Sequence, residues 1–145
     1  MLHSDKSIIQ QILPVHDAVV NCAPVISQYA AIAALENQEE ILAHNKKIYT
    51  KNRLLMQSYL DSLKEYVDYQ LPKASYFFFP RFLKEQNSEQ FCLDLLEKEK
   101  IAVVPGNDFG AGGENHIRLC FGRDETSIRK GMEGLTRYLK GHYEK

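Results

Sequence analysis

The spacing of apolar residues changes along this chain of 145 residues and predicts helices first and strands afterwards. From residue 38 to about residue 66, apolar side chains recur every three or four positions, which predicts one long amphipathic helix. Apolar residues also recur at helical spacing over residues 6–13, which predicts a short helix that ends before Pro14. Another helix is predicted for residues 25–36, and it is apolar on nearly all sides. Such a helix needs cover on nearly all sides, so we expect a neighbour that this short chain does not supply.

After residue 66 the apolar period falls to two, which is typical of strands. Strands are predicted at 67–71, 76–79, 102–104 and 116–121. One helix is predicted to be capped by Asn87 or Ser88 and to run to about residue 100, and a final helix is predicted to be capped by Asp124. The order is strand, strand, helix, strand, strand, helix. It predicts an α+β fold in which long N-terminal helices precede a small sheet that carries its helices on one face.

Composition narrows the class of protein. Hydrophobic residues make up 44% and charged residues 26%, as in ordinary globular proteins. A net charge of −1 provides no broad electrostatic surface for nucleic acid or an anionic membrane, and neither partner is expected. The three cysteines lack the spacing of a zinc site, and their odd number argues against a disulfide framework. With no signal-like N-terminus, a cytoplasmic location is expected.

The strand predicted at 116–121 carries the residue of greatest chemical interest. Because side chains alternate along a strand, Ile117, Leu119 and Phe121 should face one way. Arg118 should face the other way, between His116 and Cys120. A guanidinium there can offer two parallel donors to a carboxylate. The alternative is an arginine on the solvent face of a half-buried strand.

The glycine-rich segment 106–113 lies between two predicted strands. A nucleotide-binding glycine loop would lead into a helix, and this segment matches neither common pattern. A flexible connection is therefore the favoured interpretation.

Three segments resemble the C-terminal portion of class I/II pyridoxal-phosphate-dependent aminotransferases, the aspartate-aminotransferase-like family of fold type I. The first is Ser-Gln-Tyr-Ala-Ala-Ile-Ala-Ala-Leu at 27–35, and the second is Pro-Lys-Ala-Ser-Tyr-Phe-Phe-Phe-Pro at 72–80. The third, and the most specific, joins Ile-Ala-Val-Val-Pro-Gly at 101–106 and Phe-Gly at 109–110 to Asn-His-Ile-Arg-Leu at 115–119. In the second segment Ala74-Ser75 stands where the family usually has glycine.

This resemblance implies that Arg118 binds the α-carboxylate of an amino-acid substrate, with Phe109 and the strand of Tyr76 helping to line the cleft. It implies three regions: residues 1–36 as the end of the large domain, 37–66 as the interdomain helix and 67–145 as the small C-terminal domain. The family's cofactor lysine and its aspartate at the pyridine nitrogen lie upstream of everything matched here. No lysine of this chain matches the cofactor lysine.

The resemblance therefore implies a C-terminal fragment that is inactive alone and binds no cofactor specifically. Its intact parent would use pyridoxal 5'-phosphate, act on an amino acid and a 2-oxo acid, and form a homodimer. One alternative is a stand-alone, non-enzymatic binding or interaction module that keeps the small-domain fold. Another is a product that pairs in trans with a separately made large domain.

Overall fold

The computed structural model describes residues 4–20, 22–84 and 86–143. The chain divides into two compact units, Met1–Ala43 and His44–Lys145. The boundary falls inside the long helix α3 (Gln38–Asp61), which therefore contributes to both units. Within the described ranges, no helix is long and apolar enough to cross a lipid bilayer.

The first unit contains α1 (Lys6–Val19) and α2 (Val25–Glu36), followed by the start of α3. The helix predicted at 25–36 is confirmed. The predicted end of the first helix before Pro14 is wrong, since α1 continues through Pro14 to Val19. The proline ring removes one amide donor from the helix, yet the helical backbone persists on both sides of it.

No side chain described in the first unit is buried. The apolar side chains of α2 are 50–80% exposed; they are Val25, Ile26, Tyr29, Ile32 and Leu35. The first unit therefore builds no hydrophobic core of its own, and α2 has the uncovered apolar surface that its sequence indicated.

The second unit alternates short strands with two further helices after α3. The strands are β1 (Val67–Asp68), β2 (Phe77–Phe78), β3 (Arg81–Phe82), β4 (Val104–Pro105) and β5 (Ile117–Cys120), and the helices are α4 (Ser88–Glu99) and α5 (Glu125–Tyr143). The predicted α+β class is confirmed, and so is the predicted order, with β3 as an additional short strand. The strands are shorter than predicted, and α3 ends at Asp61 instead of near residue 66.

The strands pair in two small antiparallel sheets. β5 lies in the middle of the larger sheet, whose order is β2-β5-β4, while β1 pairs with β3. Phe78 is opposite Leu119 and Val104 is opposite Arg118. The central position of β5 fixes which of its side chains face the helices.

The core of the second unit confirms the predicted alternation along β5. Ile117, Leu119 and Phe121 are at most 4% exposed. They belong to one buried cluster with side chains from the helices, including Leu60, Leu95, Leu135 and Leu139. The helices thus cover one face of the larger sheet, as predicted.

Both predicted helix caps of the second unit form. The Gln90 N–H donates to the Asn87 side chain at 3.0 Å, which caps α4. At the start of α5, the Ser127 N–H donates to Asp124 Oδ1 at 2.9 Å. Each bond satisfies one of the backbone donors that a helix N-terminus leaves unpaired.

The three cysteines are free. Cys92 is buried on α4, and this burial, with a smaller contribution from Asp108, raises the pKa of its thiol to about 11. Cys22 and Cys120 are exposed.

Asn52 is a buried polar residue that links α3 to the end of β5. Its side chain is 4% exposed, and Nδ2 donates to the carbonyl oxygens of Phe121 at 3.0 Å and Arg123 at 2.7 Å. Asn52 therefore satisfies two carbonyl groups where the chain leaves the sheet and approaches α5.

We expect Asn52→Ala to lower the free energy of unfolding by roughly 1–3 kcal/mol, because both carbonyls lose their donor in a buried setting. Asn107→Ala is the control, since Asn107 is exposed and its side chain makes no hydrogen bond within the described residues; its effect should stay within about 0.5 kcal/mol. Urea unfolding followed by circular dichroism measures both. Equal unfolding midpoints for the two variants would contradict this role of Asn52.

Candidate functional site

The larger sheet has a second face, opposite the helices, which we call the open face. Phe77 is opposite Cys120, and Arg81 forms a bridge with His116. The same register places Phe79 opposite Arg118. Side chains directly opposite each other on antiparallel strands share a face, so these three pairs lie on the open face together with Arg118 at its centre.

Two aromatic rings hold the guanidinium of Arg118. Its Cζ lies 4.3 Å from the centroid of the Phe77 ring and 4.9 Å from that of the Phe109 ring. Such contacts are electrostatically attractive because the ring faces carry negative charge density. Phe77 comes from the adjacent strand β2, whereas Phe109 comes from the glycine-rich segment. Arg118 is thus positioned by two separate parts of the second unit.

The hydrogen-bond donors of Arg118 are not used by any residue that the structure describes. No hydrogen bond or ion pair joins its guanidinium to another residue in the described part of the chain. The contacts with aromatic rings do not use the N–H groups, which lie in the guanidinium plane. A half-buried, oriented arginine without an acidic partner can receive an anion, and a carboxylate matches its two parallel donors.

Further aromatic side chains surround this pair of rings. The Phe79 ring stacks on His116 with centroids 4.9 Å apart, and meets the Phe109 ring edge-on at 5.8 Å. Tyr76 contacts the Phe77 ring, with centroids 4.5 Å apart. The site is still an open surface, because Phe109 is 51% and Phe79 is 38% exposed.

The sequence selected Arg118, Phe109 and the strand of Tyr76 at 76–79 for the site, but it did not show which side chains of that strand face Arg118, and it did not include His116. Phe109 contacts Arg118 directly, whereas Tyr76 contacts the ring of Phe77. The signal that could have identified Phe77 and Phe79 was the alternation of the aromatic run at 76–79. It could not be used without the register that pairs this run with β5.

The glycine-rich segment is folded into two consecutive 3₁₀ turns, Gly106–Phe109 and Ala111–Gly113, so the expected flexible connection is corrected. The backbones of Gly106 and Gly113 approach so closely that a Cβ on either would collide with the other's carbonyl oxygen. The Gly106 N–H also donates to the His116 carbonyl at 2.8 Å. The close approach explains why positions 106 and 113 are occupied by glycine. It also holds the segment in the conformation that places Phe109 against Arg118.

The turn before β2 contains Ser75 in the left-handed region, with φ 71°. Glycine adopts that region most readily. The Ala74-Ser75 sequence, which departs from the usual glycines of the resembled family, is therefore accommodated in a backbone conformation that favours glycine.

Comparison with known proteins identifies the class to which this fold and site belong. The family model of aminotransferase class I and II matches residues 1–135. The chain therefore belongs to the class I and II aminotransferase family.

Two relatives illustrate the match in sequence. The aminotransferase-family protein YugH of Bacillus subtilis is 37% identical over 129 residues, covering 88% of this chain and 33% of the relative. The (5-formylfuran-3-yl)methyl phosphate transaminase of Methanocaldococcus jannaschii is 30% identical over 137 residues, covering 94% of this chain and 36% of the relative. The chain spans about a third of the length of the relatives it matches.

Solved structures extend the match to the fold. A PLP-dependent aminotransferase from Streptococcus suis aligns with a TM-score of 0.83 at 25% identity, covering 98% of this chain and 37% of the other. A second structure is LysN, an α-aminoadipate aminotransferase from Thermus thermophilus solved with N-(5'-phosphopyridoxyl)-L-leucine. It aligns with a TM-score of 0.83 at 27% identity, and the alignment covers 95% of this chain and 36% of LysN.

The residues described here do not fit pyridoxal phosphate by themselves. A lysine that forms a Schiff base is activated in a desolvated setting or beside another cation. Every lysine within residues 4–20, 22–84 and 86–143 is exposed. Within these ranges, the open face therefore has no enclosed lysine beside Arg118.

We expect Gly113→Ala to lower the free energy of unfolding by roughly 1–3 kcal/mol and to weaken the proton–proton contacts between Phe109 and Arg118 in NMR spectra. The added methyl group would force the two 3₁₀ turns apart. Gly112→Ala is the matched control, because a Cβ there meets nothing within 4 Å. The role assigned to the close approach is wrong if Gly113→Ala behaves like Gly112→Ala in both measurements.

Proposed function

We propose that this chain is the C-terminal part of an aminotransferase that moves an amino group from an amino acid to a 2-oxo acid. In this proposal Arg118 binds the substrate α-carboxylate. The observation that carries it is the state of Arg118: its guanidinium is held between Phe77 and Phe109 while its donors remain unpaired within the described residues.

The chemistry of the substrate supports this role. Every amino acid and every 2-oxo acid presents a carboxylate beside the carbon that exchanges its amino group. A two-pronged contact fixes both the position and the plane of that carboxylate, and thereby orients the neighbouring reactive carbon. The rings of Phe77 and Phe109 reduce the rotational freedom of the guanidinium before substrate arrives, which lowers the ordering cost of binding.

The cofactor belongs to the remainder of the parent protein in this proposal. Pyridoxal phosphate supplies an electron sink for the carbon that loses its amino group. Its lysine and its pyridine-binding aspartate would come from residues upstream of this chain, so the chain alone is expected to be inactive. The exposure of every described lysine supports this division of roles.

The proposed organisation follows from the same family membership. Residues 1–36 would end the large domain, residues 37–66 would form the interdomain helix and residues 67–145 would form the small domain. The uncovered apolar surface of α2 supports a role for the first region in packing against the large domain. The parent is proposed to be a cytoplasmic homodimer, and the three free cysteines agree with a reducing compartment.

Replacing Arg118 by Ala in the full-length parent should reduce kcat/KM for its amino-acid substrate by the equivalent of roughly 2–5 kcal/mol, because a desolvated carboxylate loses its partner. Arg118→Lys should recover part of the loss, since an ammonium group keeps the charge but not the two-pronged geometry. Arg137→Ala is a suitable control: Arg137 is exposed and pairs with Glu99 on the surface. An Arg118→Ala parent with unchanged kcat/KM would refute the assignment.

Titration of this chain with pyridoxal phosphate, followed by borohydride reduction and peptide mapping, tests the division of roles. We expect scattered, substoichiometric labelling of exposed lysines and no transaminase activity. Stoichiometric labelling of one lysine would mean that the chain builds its own cofactor site, and the fragment proposal would be abandoned.

A further inference from the structure

A cavity of about 280 Å³ in the second unit is lined by three cations, Lys46, Arg53 and Lys73. The side chains of Thr50 and Ser75 also line it, and we call it the basic cavity. α3 supplies one wall, and the turn before β2 supplies another. Arg118 is not among the described residues that line this cavity, and none of those residues is Asp or Glu.

Arg53 has a donor for which the described residues provide no acceptor. Its Nη1 donates to the Pro72 carbonyl at 3.0 Å, which anchors the guanidinium to the turn before β2. Its Nε–H is buried and has no acceptor within the described residues. Buried donors are nearly always paired, so an unpaired one on an anchored cation at a cavity indicates an acceptor that the described chain does not provide.

The two lysines at the basic cavity also have no partner among the described residues. Lys46 and Lys73 are exposed, and neither makes an ion pair or hydrogen bond with any residue in the ranges described. Three like charges that share a cavity repel one another, and a bound anion would remove that cost. The chain carries a net charge of −1, so this cluster is a local feature of the surface.

We infer that the basic cavity binds a small tetrahedral oxyanion, namely inorganic phosphate or the phosphate group of a small monoester. Three cations match the near-double charge of phosphate at neutral pH better than the single charge of a carboxylate. The hydroxyl groups of Thr50 and Ser75 can add donors from other directions. The volume lies just below the roughly 300–1,000 Å³ typical of cavities for drug-sized ligands, which favours a small anion.

The test is a titration of the ¹⁵N-labelled 145-residue chain with inorganic phosphate, at an ionic strength held constant with sodium chloride. The side-chain Nε–H signal of Arg53 and the backbone amides of residues 73–75 report on the basic cavity. These signals should shift saturably, while the Nε–H signal of Arg118 moves less. Acetate should bind at least tenfold more weakly at the same signals.

Two double variants complete the test. Lys46→Ala/Lys73→Ala should weaken phosphate binding at least tenfold, and both side chains are exposed, so the fold should be retained. Lys47→Ala/Lys130→Ala removes the same net charge from exposed positions outside the cavity and should change binding less than twofold. Arg53→Lys identifies the Arg53 signal by its disappearance.

A parallel titration with glycerol phosphate distinguishes the free ion from a monoester, and preference for either supports the inference. The inference is overturned if phosphate produces no saturable shift, if the shift centres on Arg118, or if acetate binds as tightly as phosphate. It is also overturned if the two double variants bind phosphate equally.

Discussion

The alternation of side chains along β5 is the constraint on which the second unit depends. Ile117, Leu119 and Phe121 are almost fully buried against the helices, and this burial fixes the register of the central strand. A slip by one residue would bring Arg118 into the core and expose three large apolar side chains. The hydrophobic effect therefore determines where the arginine points, before any interaction of the arginine itself is considered.

Burial of β5 fixes the direction of Arg118 but not the orientation of its guanidinium. That orientation comes from Phe77 on the neighbouring strand and from Phe109 on the glycine-rich segment. The contact with Phe109 requires the close approach of Gly106 and Gly113, which no residue with a Cβ permits without movement of the backbone. Core packing, strand pairing and a tight backbone approach thus act together on one side chain.

Predictions from the sequence were accurate for features that depend on local periodicity. They were less accurate for features that depend on pairing between distant segments. The helix at 25–36 and the caps at Asn87 and Asp124 follow from local patterns, and they are confirmed. Pro14 was expected to end a helix, yet a single lost amide donor does not stop α1. β3 could not be predicted from the sequence, because a segment of two residues is too short to show an alternation of apolar and polar side chains. Its formation depends instead on pairing with β1.

The same distinction applies to the candidate site. Arg118 could be selected because its strand alternates clearly and its surrounding motif is specific. The position of the Phe77 ring beside Arg118 depends on the register between β2 and β5. These strands are far apart in sequence, so their register is established only on folding. The ordered turns at 106–113 depend on two glycine backbones meeting, and composition alone favoured flexibility there.

Arg118 and Arg53 illustrate two ways in which one fold can orient a cation. Among the described residues, Arg118 contacts aromatic rings and none of its donors is paired, whereas Arg53 donates from Nη1 to a backbone carbonyl and has a buried, unpaired Nε–H. Rings leave the whole planar edge of a guanidinium free, which suits a planar carboxylate. Arg53 is anchored through one Nη1 donor to a carbonyl, and in the proposed phosphate site the other cations and the hydroxyl groups at the basic cavity complete the set of donors. Under the two proposals, the two arginines differ in the shape of the anion that each receives, a planar carboxylate at Arg118 and a tetrahedral phosphate at Arg53.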